Sequence, residues 1–532
     1  MLYIRLMRLN MSKGFVNCHI YGSDATCFVV DGNVFSYVGD DEGVMTSCDE
    51  VVDLQGQYVY PGFNDTHMHL VNLGFALSIL PLGQCRNLGE MKEDILGRVD
   101  GRKWVIGRGF NEDKLEDQRI FTKAELDEIC PDTPVCLTRC CGHKMVANSK
   151  ALEMADIDEN TLVSGGKIRF EEGVLEESAI ELIQAAWPIP SVDDICEYIR
   201  LGMKECNRYG ITSVGSDDLL TITQEYDEAL AAFEKMSYQK QLTVRVNEQC
   251  QFADIEEYQR FLHEGYTTEV GDEYFKIGPL KLLMDGSLGA RTAYMSRPYN
   301  DDENTSGYPI FSKKELEAYV KLGAYYNMPS VIHVIGDKAL DMVLDVYDEV
   351  VLEGNPLHHG LVHVQITREE QVKHIIEKKY QCYVQSIFTD YDSMIVRDRV
   401  GEDRAETSYA FRTYYENTGM SNGSDSPVEA PDVFKGLACA ITHRSMSHPE
   451  CGFNEKEAMS FEQAMNSFTI NGAKASFEDD IKGTIEVNKL ADFVIVKEDL
   501  SKLTPEQLCQ AEVEYTYMDG EVVYVNPHPS YN

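Results

Sequence analysis

Residues 61–69 read PGFNDTHMH. On a strand, successive side chains point to opposite faces, so His67 and His69 project the same way while Met68 points away. Two neutral imidazoles on one face at the end of a strand suit a cation such as zinc. An isolated H-x-H can equally be a pair of ordinary surface or core histidines. The segments on either side decide which.

Working outward, short apolar, β-branched runs recur, each closing on polar residues: Tyr58–Phe63, Ile211–Gly215, Leu242–Glu248, Pro279–Met284, Ser330–Ile335, Gly360–Gln365, Tyr380–Ser386 and Met420–Asp425. Helix-period segments such as Lys313–Asn327, Lys338–Glu353 and Arg368–Lys379 lie between them. Strands alternating with helices make parallel β/α units, and eight of them predict an α/β fold of the closed (β/α)8 TIM-barrel type. Barrel enzymes assemble their sites at the C-terminal ends of the strands. His333 closes VIH, His363 closes LVH, and Asp425 follows the last run in GSDSP. Lys281, in GPLKLLMDG, would point into the barrel wall. A buried ammonium is costly. It must either pair with a carboxylate or, if neutral, react with carbon dioxide to form a carbamate able to bridge two cations.

Two regions break the alternation. Residues 81–198 carry their own strand-like pieces, Lys103–Gly107 and Pro134–Thr138, and read as a large insertion after the first barrel strand, covering the active site. Pro188 and Pro190 in WPIPS mark its exit. At the chain ends, Cys27–Val38, Glu50–Val59, Asp492–Val496 and Val513–Val525 read as strands with turns at Asp31-Gly32, Gly39-Asp40 and Asp519-Gly520. Neither end can build a core alone. Residues 1–58 and 478–532 are therefore expected to pair into a small β-sandwich-like domain, leaving 59–80 and 199–477 for the barrel.

Composition excludes several functions. With 48 Lys plus Arg against 89 Asp plus Glu in 532 residues, the net charge of −41 repels nucleic acid. The 43% hydrophobic residues supply ample core, so disorder does not explain the acidity. No apolar run approaches the roughly 18 residues that span a bilayer. The N-terminal MLYIRLMRLNMSKG lacks a long apolar region and a cleavage site, and is expected to be mature chain. Fifteen scattered cysteines fit reduced thiols in a cytoplasmic protein. The cluster Cys130, Cys136, Cys140, Cys141 has the wrong spacing for a zinc knuckle. Gly419-Met-Ser421-Asn-Gly423 satisfies G-x-S-x-G, but YYENT before it is no apolar strand, so the nucleophile-elbow context fails. Neither dinucleotide nor P-loop fingerprints occur.

The ordered motifs PGFNDTHMHL, CGHKMVANSKAL, LKLLMDGSLGARTA, HVIGDKAL, GEDRA, SNGSDSPVEAPDVFKGLACAITHR and GTIEVNKLADFVIV together resemble the amidohydrolase superfamily. The similarity is to the branch containing N-substituted formamide deformylases, and it runs over nearly the whole chain. It implies one or two divalent metals, usually zinc. His67 and His69 would bind the more buried ion, His333 and His363 the more exposed one, and a carbamate on Lys281 would bridge both. Asp425 would ligate the buried ion, accept a proton from the attacking water and return it to the leaving nitrogen. His143 resembles the branch's pocket-facing histidine and would donate a hydrogen bond to substrate; the other possibility is a structural loop histidine. Asp65 is a candidate to orient the imidazoles. Asp285 and Arg291 lie on the functional rim or pair with each other, and Arg404 is similarly placed.

One motif departs from the branch. HHGLVHVQ has Gly360 and Val362 where an arginine and a glutamate are usual, which bears on substrate preference, while His358 and His359 are expected at the surface. The function implied is metal-dependent hydrolysis of a C–N bond, amide, N-acyl or N-formyl, of a small-molecule substrate by a homodimer. Isomerisation or decarboxylation on the same site, or a catalytically silent binding protein, are the alternatives.

Overall fold

The computed structural model describes residues 11–99, 103–163, 165–220 and 226–527. The first ten residues of the N-terminal segment discussed above lie outside them. The chain forms two compact units, one of the described residues up to Leu73 together with those from Gly202 onward, the other Gly74–Leu201.

The first unit is built on eight parallel strands: β1 (Phe63–Met68), β2 (Ile211–Ser216), β3 (Arg245–Cys250), β4 (Phe275–Leu283), β5 (Ser330–Val334), β6 (Gly360–His363), β7 (Gln381–Val384) and β8 (Ser421–Asn422). They are hydrogen-bonded in chain order. The circle closes just past the strand ends, where Asp425 N donates to His67 O and His69 N to Ser426 O, both at 2.8 Å. Gly423 is required at this closure. A Cβ there would stand 2.7 Å from His67 N and from Asp65 Oδ1. Helices follow where the period predicts them, at Lys313–Tyr325, Asp337–Val350 and Glu369–Lys378. The first of these starts on a Ser312–Glu315 capping box.

Every predicted run from Ile211 onward falls on one of these strands, but Tyr58–Phe63 does not. Glu50–Pro61 is one long strand of a different sheet, and the barrel begins at Phe63. The apolar YVY marks that other sheet. All six residues of FNDTHM are buried, yet their polar side chains hide the strand from an apolarity criterion.

That other sheet has seven strands, four from the N-terminal side (Lys13–Ile20, Cys27–Asp31, Val34–Gly39, Glu50–Pro61) and three from the C-terminal side (Phe493–Val496, Val513–Met518, Glu521–Val525). Tyr58–Pro61 pairs antiparallel with Phe493–Val496, so both ends share one ladder. They also share a core. Phe15 stacks on Phe28 with centroids 4.6 Å apart, and Phe493 on Tyr517 at 4.4 Å. Arg245, at the start of β3 and only 2% exposed, ties the sheet to the barrel through Asp492 at 2.7 and 2.9 Å and Asp519 at 2.5 Å.

The second unit is a six-stranded sheet of Leu80–Pro81, Val105–Phe110, Val135–Arg139, Lys144–Ala147, Gly166–Arg169 and Val174–Glu177. The two strand-like pieces predicted in this region fall on its second and third strands. All fifteen cysteines are unpaired; Cys130 and Cys136 are buried, Cys140 and Cys141 exposed. Among the described residues no helix is long and apolar enough to cross a membrane.

Candidate metal centre

The C-terminal strand ends gather the six residues singled out from the sequence. His67 lies within β1 and His69 just past it, Lys281 in β4, His333 in β5, His363 at the end of β6, and Asp425 three residues past β8. One donor atom from each of His67, His69 and Asp425 lies within 4.8 Å of the others. Asp425 Oδ1 is 3.4 Å from His67 Nε2 and 3.2 Å from His69 Nε2. The His67 and His363 rings lie 5.5 Å apart, those of His333 and His363 4.6 Å. Lys281 Nζ stands 3.4 Å from His67 Nε2 and forms a buried ion pair with Asp217 at 3.0 Å.

Tautomers follow from the oxygens that face the rings. His67 Nδ1 lies 2.8 Å from Gln249 Oε1, His69 Nδ1 2.7 Å from Asp217 O, and His363 Nδ1 2.6 Å from Gln385 Oε1. These oxygens only accept, so each Nδ1 carries the proton; Nε2 of His67 and of His363 then presents a lone pair, while His69 Nε2 faces the Asp425 carboxylate at 3.2 Å. His333 is reversed. Its Nε2 faces Gly286 O at 3.2 Å, which leaves Nδ1 as the donor atom for a metal.

Charge states support the same assignment. Burial, with the Lys281 charge, holds His67 well below the usual imidazole range, and burial with the same neighbours takes His363 down to about 4. Burial likewise lowers His333. Asp425 is opposite in behaviour: burial pushes it up, but the His69 hydrogen bond and the surrounding imidazoles overcome this and hold it well below the usual carboxylate range. His69 alone is raised, by its hydrogen bond to Asp425, so it gives up a proton on binding; three neutral imidazoles, this fourth and an ionised carboxylate are a donor set that fits a divalent cation. The backbone is strained to place them. His363, Val364 and Asp425 have φ of 70°, 44° and 57°, left-handed conformations costing about 1–3 kcal/mol each in non-glycine residues.

Asp217, Gln249 and Gln385 are functional residues the sequence reading missed. Asp217 alone serves two ligand positions, through its carbonyl to His69 and its carboxylate to Lys281. Its signal was present in GSDDLL, the polar end of a strand run. Behind it, Glu248 Oε1 accepts Asp218 N at 2.8 Å, and Asp218 Oδ1 accepts Val71 N at 2.9 Å. Ser216 Oγ accepts Leu70 N at 2.8 Å, so the end of β2 is locked to the segment just after His69.

Other expected residues are placed differently. Asp65 does not touch the rings; it accepts from Ser424 N at 3.0 Å, from Ser424 Oγ and from His67 N at 3.3 Å, and so holds the loop carrying Asp425. Asp285 and Arg291 do not pair. Asp285 is buried and accepts from Ile335, Gly336 and Tyr294 N–H groups, whereas Arg291 pairs with Asp301 at 2.8 Å. Arg404 is buried and donates to the Val400, Arg297 and Pro298 carbonyls. Ser421 is buried with Oγ on Thr66 Oγ1 at 3.0 Å, in the barrel wall. His359 is not at the surface: its Nδ1 accepts Ser330 N at 3.1 Å, and His358 stacks on Phe477. His143 is exposed in the second unit, with Nδ1 3.0 Å from Glu177 Oε2.

Comparison with known proteins adds an independent line. The amidohydrolase family profile matches residues 50–524. The chain is 28% identical to YtcJ of Bacillus subtilis over 89% of its own length and 90% of that protein's. It is 24% identical to the N-substituted formamide deformylase of Arthrobacter pascens, over 98% of each. Among solved structures, an uncharacterized metal-dependent hydrolase from Pyrococcus furiosus superposes with a TM-score of 0.77 at 27% identity, covering 92% of this chain and 100% of that one.

Proposed function

The chain belongs to the amidohydrolase family, and on that premise we propose that it hydrolyses a carbon–nitrogen bond of a small molecule, an amide of the N-acyl or N-formyl kind, with one or two zinc ions. The observation that carries this is the donor set: His67, His333 and His363 each presenting one unprotonated nitrogen, and His69 paired with a buried ionised Asp425 whose proton a cation would displace. His67, His69 and Asp425 would hold one cation, His333 and His363 a second. A cation bound there lowers the pKa of water towards about 7 and polarises a carbonyl. Asp425 is the group that accepts the attacking water's proton and delivers it to the leaving nitrogen. We assign Lys281 as a carbamate in the loaded enzyme; its pair with Asp217 is then the uncarboxylated state of the same side chain. His143 is our candidate donor to substrate. Similarity to the deformylase supports the N-formyl class, and fifteen unpaired cysteines support a cytoplasmic location.

The test is a screen of N-formyl and N-acyl amines against protein stripped with a chelator and reloaded with zinc. Turnover should vanish on stripping and return on reloading. Asp425→Asn should lower it by at least about a thousandfold with the fold intact, while Ser421→Ala leaves it within about twofold. Full activity without metal overturns the assignment.

A further inference from the structure

Cys140 and Cys141 stand side by side on the turn that follows Val135–Arg139. We propose that Cys141 is a hydroperoxide-reactive thiol and Cys140 its resolving partner, making this turn a reversible oxidation site.

Access sets the pair apart, because these two are the exposed members among all fifteen cysteines. The turn is held from both sides: Cys140 N donates to Phe110 O and Gly142 N to Arg139 O, each at 2.9 Å. Guanidinium groups stand beside it in a chain of net charge −41. Arg139 Nη1 lies 3.9 Å from Cys140 Sγ, next to Cys141 in the chain. A Cβ on Gly142 would stand 3.8 Å from Arg108 Nη2, and His143 and Lys144 follow directly. Carboxylates share these cations without covering the thiols. Glu112 and Asp113 bind Arg139, Glu112 also binds Lys144, and Glu177 binds His143.

The thiolate is the nucleophile, and opposite charge plus exposure is what selects a reactive cysteine. The Arg139 guanidinium and the His143 backbone N–H bring Cys141 below the usual thiol range, whereas burial pushes Cys136 and Cys382 up to about 12. In the first step the Cys141 thiolate attacks one oxygen of the hydroperoxide. The O–O bond breaks, an S–O bond forms, and the other oxygen leaves as water or an alcohol after taking a proton. In the second, the Cys140 sulfur attacks the Cys141 sulfenic sulfur, the S–O bond breaks, and hydroxide leaves as water with the Cys140 proton. The two thiols lose two electrons and the peroxide gains them. Consecutive Cα atoms sit about 3.8 Å apart, below the span of about 4.4–6.8 Å usual for a disulfide, so the ring is strained and easily reduced.

The experiment is peptide mapping by mass spectrometry of the intact protein after one equivalent of hydrogen peroxide. Oxidation should fall on the peptide carrying both residues as a loss of two hydrogens, at least about tenfold faster than on any other cysteine, and a dithiol should reverse it. Cys140→Ser should stop at a sulfenic acid on Cys141 that dimedone captures, and Cys141→Ser should abolish the fast reaction. Even oxidation across the cysteines, or a Cys141→Ser protein that reacts as fast as the parent, overturns the proposal.

Discussion

In the metal-free protein two opposed forces act on the His69 imidazole. Burial lowers its basicity, while the hydrogen bond to Asp425 and the nearby Asp217 raise it, and the outcome is a pKa of about 9. Below that pH a proton occupies Nε2, the atom a cation needs. Metal uptake near pH 7 should therefore release about one proton from His69, beyond the two set free when the ion-paired Lys281 takes up carbon dioxide, and apparent affinity should rise at least about tenfold per pH unit up to pH ~9. Calorimetric titration with zinc in buffers of different ionisation enthalpy measures both quantities; proton release near zero would contradict the assignment. The same shift acts on stability. Because the folded value lies above the unfolded one, the His69–Asp425 contribution is complete below about pH 6.5 and is lost as the pH rises through about 9. His333, His363 and Asp425 were legible because each is a chemically unusual residue at the polar end of an apolar run, His67 and His69 because they share one strand face, and Lys281 because it is a charge inside an apolar run. Gln249 and Gln385 were not, since an amide gives no such signal and its role exists only once a histidine from another strand lies beside it. His359 failed for a related reason: its partner, Ser330 N, is set by the register of β5 against β6.

At the scale of elements, β2 and β3 act as a brace for the site. Glu248 is fully buried and burial raises it far above the usual carboxyl range, yet its Oε1 accepts the Asp218 N–H that fixes Asp217 beside His69 and Lys281. Its Oε2 has no hydrogen-bond partner among the described residues. Glu248→Ala should weaken zinc binding by about 10–100-fold, as loss of groups behind metal ligands commonly does. Glu248→Gln keeps an acceptor and should recover most of that affinity. Competition with a zinc-binding dye distinguishes the two; equal loss in both variants would point to general destabilisation instead. The element most difficult to place from sequence was β1. Four of the six residues of FNDTHM are polar, and Asp65 and Thr66 among them reach across to Ser424, Ser421 and Asn422, closing the barrel with side chains.

For the molecule as a whole, the terminal sheet depends on Arg245. The guanidinium is buried between Asp492 and Asp519, so removing it strands two carboxylates out of water. Arg245→Leu should destabilise the first unit by about 3–5 kcal/mol, whereas replacing all three charged residues by apolar ones should recover part of the loss. Urea unfolding followed through the terminal-sheet aromatics reports the difference. The pairing of both chain ends was foreseeable from turn signals and from the inadequacy of either end as a core; the clasp was not, because Arg245 lies 247 and 274 residues from its partners in sequence.

Shared construction of that sheet has a consequence during synthesis. Tyr58–Pro61 waits for Phe493–Val496, about 430 residues downstream. At roughly 5–20 residues per second the ribosome takes roughly 20–90 s to deliver the missing partner. Throughout that interval a long strand edge and the Phe15–Phe28 stack stand without their cover, and the nascent chain is most open to chaperone capture or to mispairing with a neighbour on the same message.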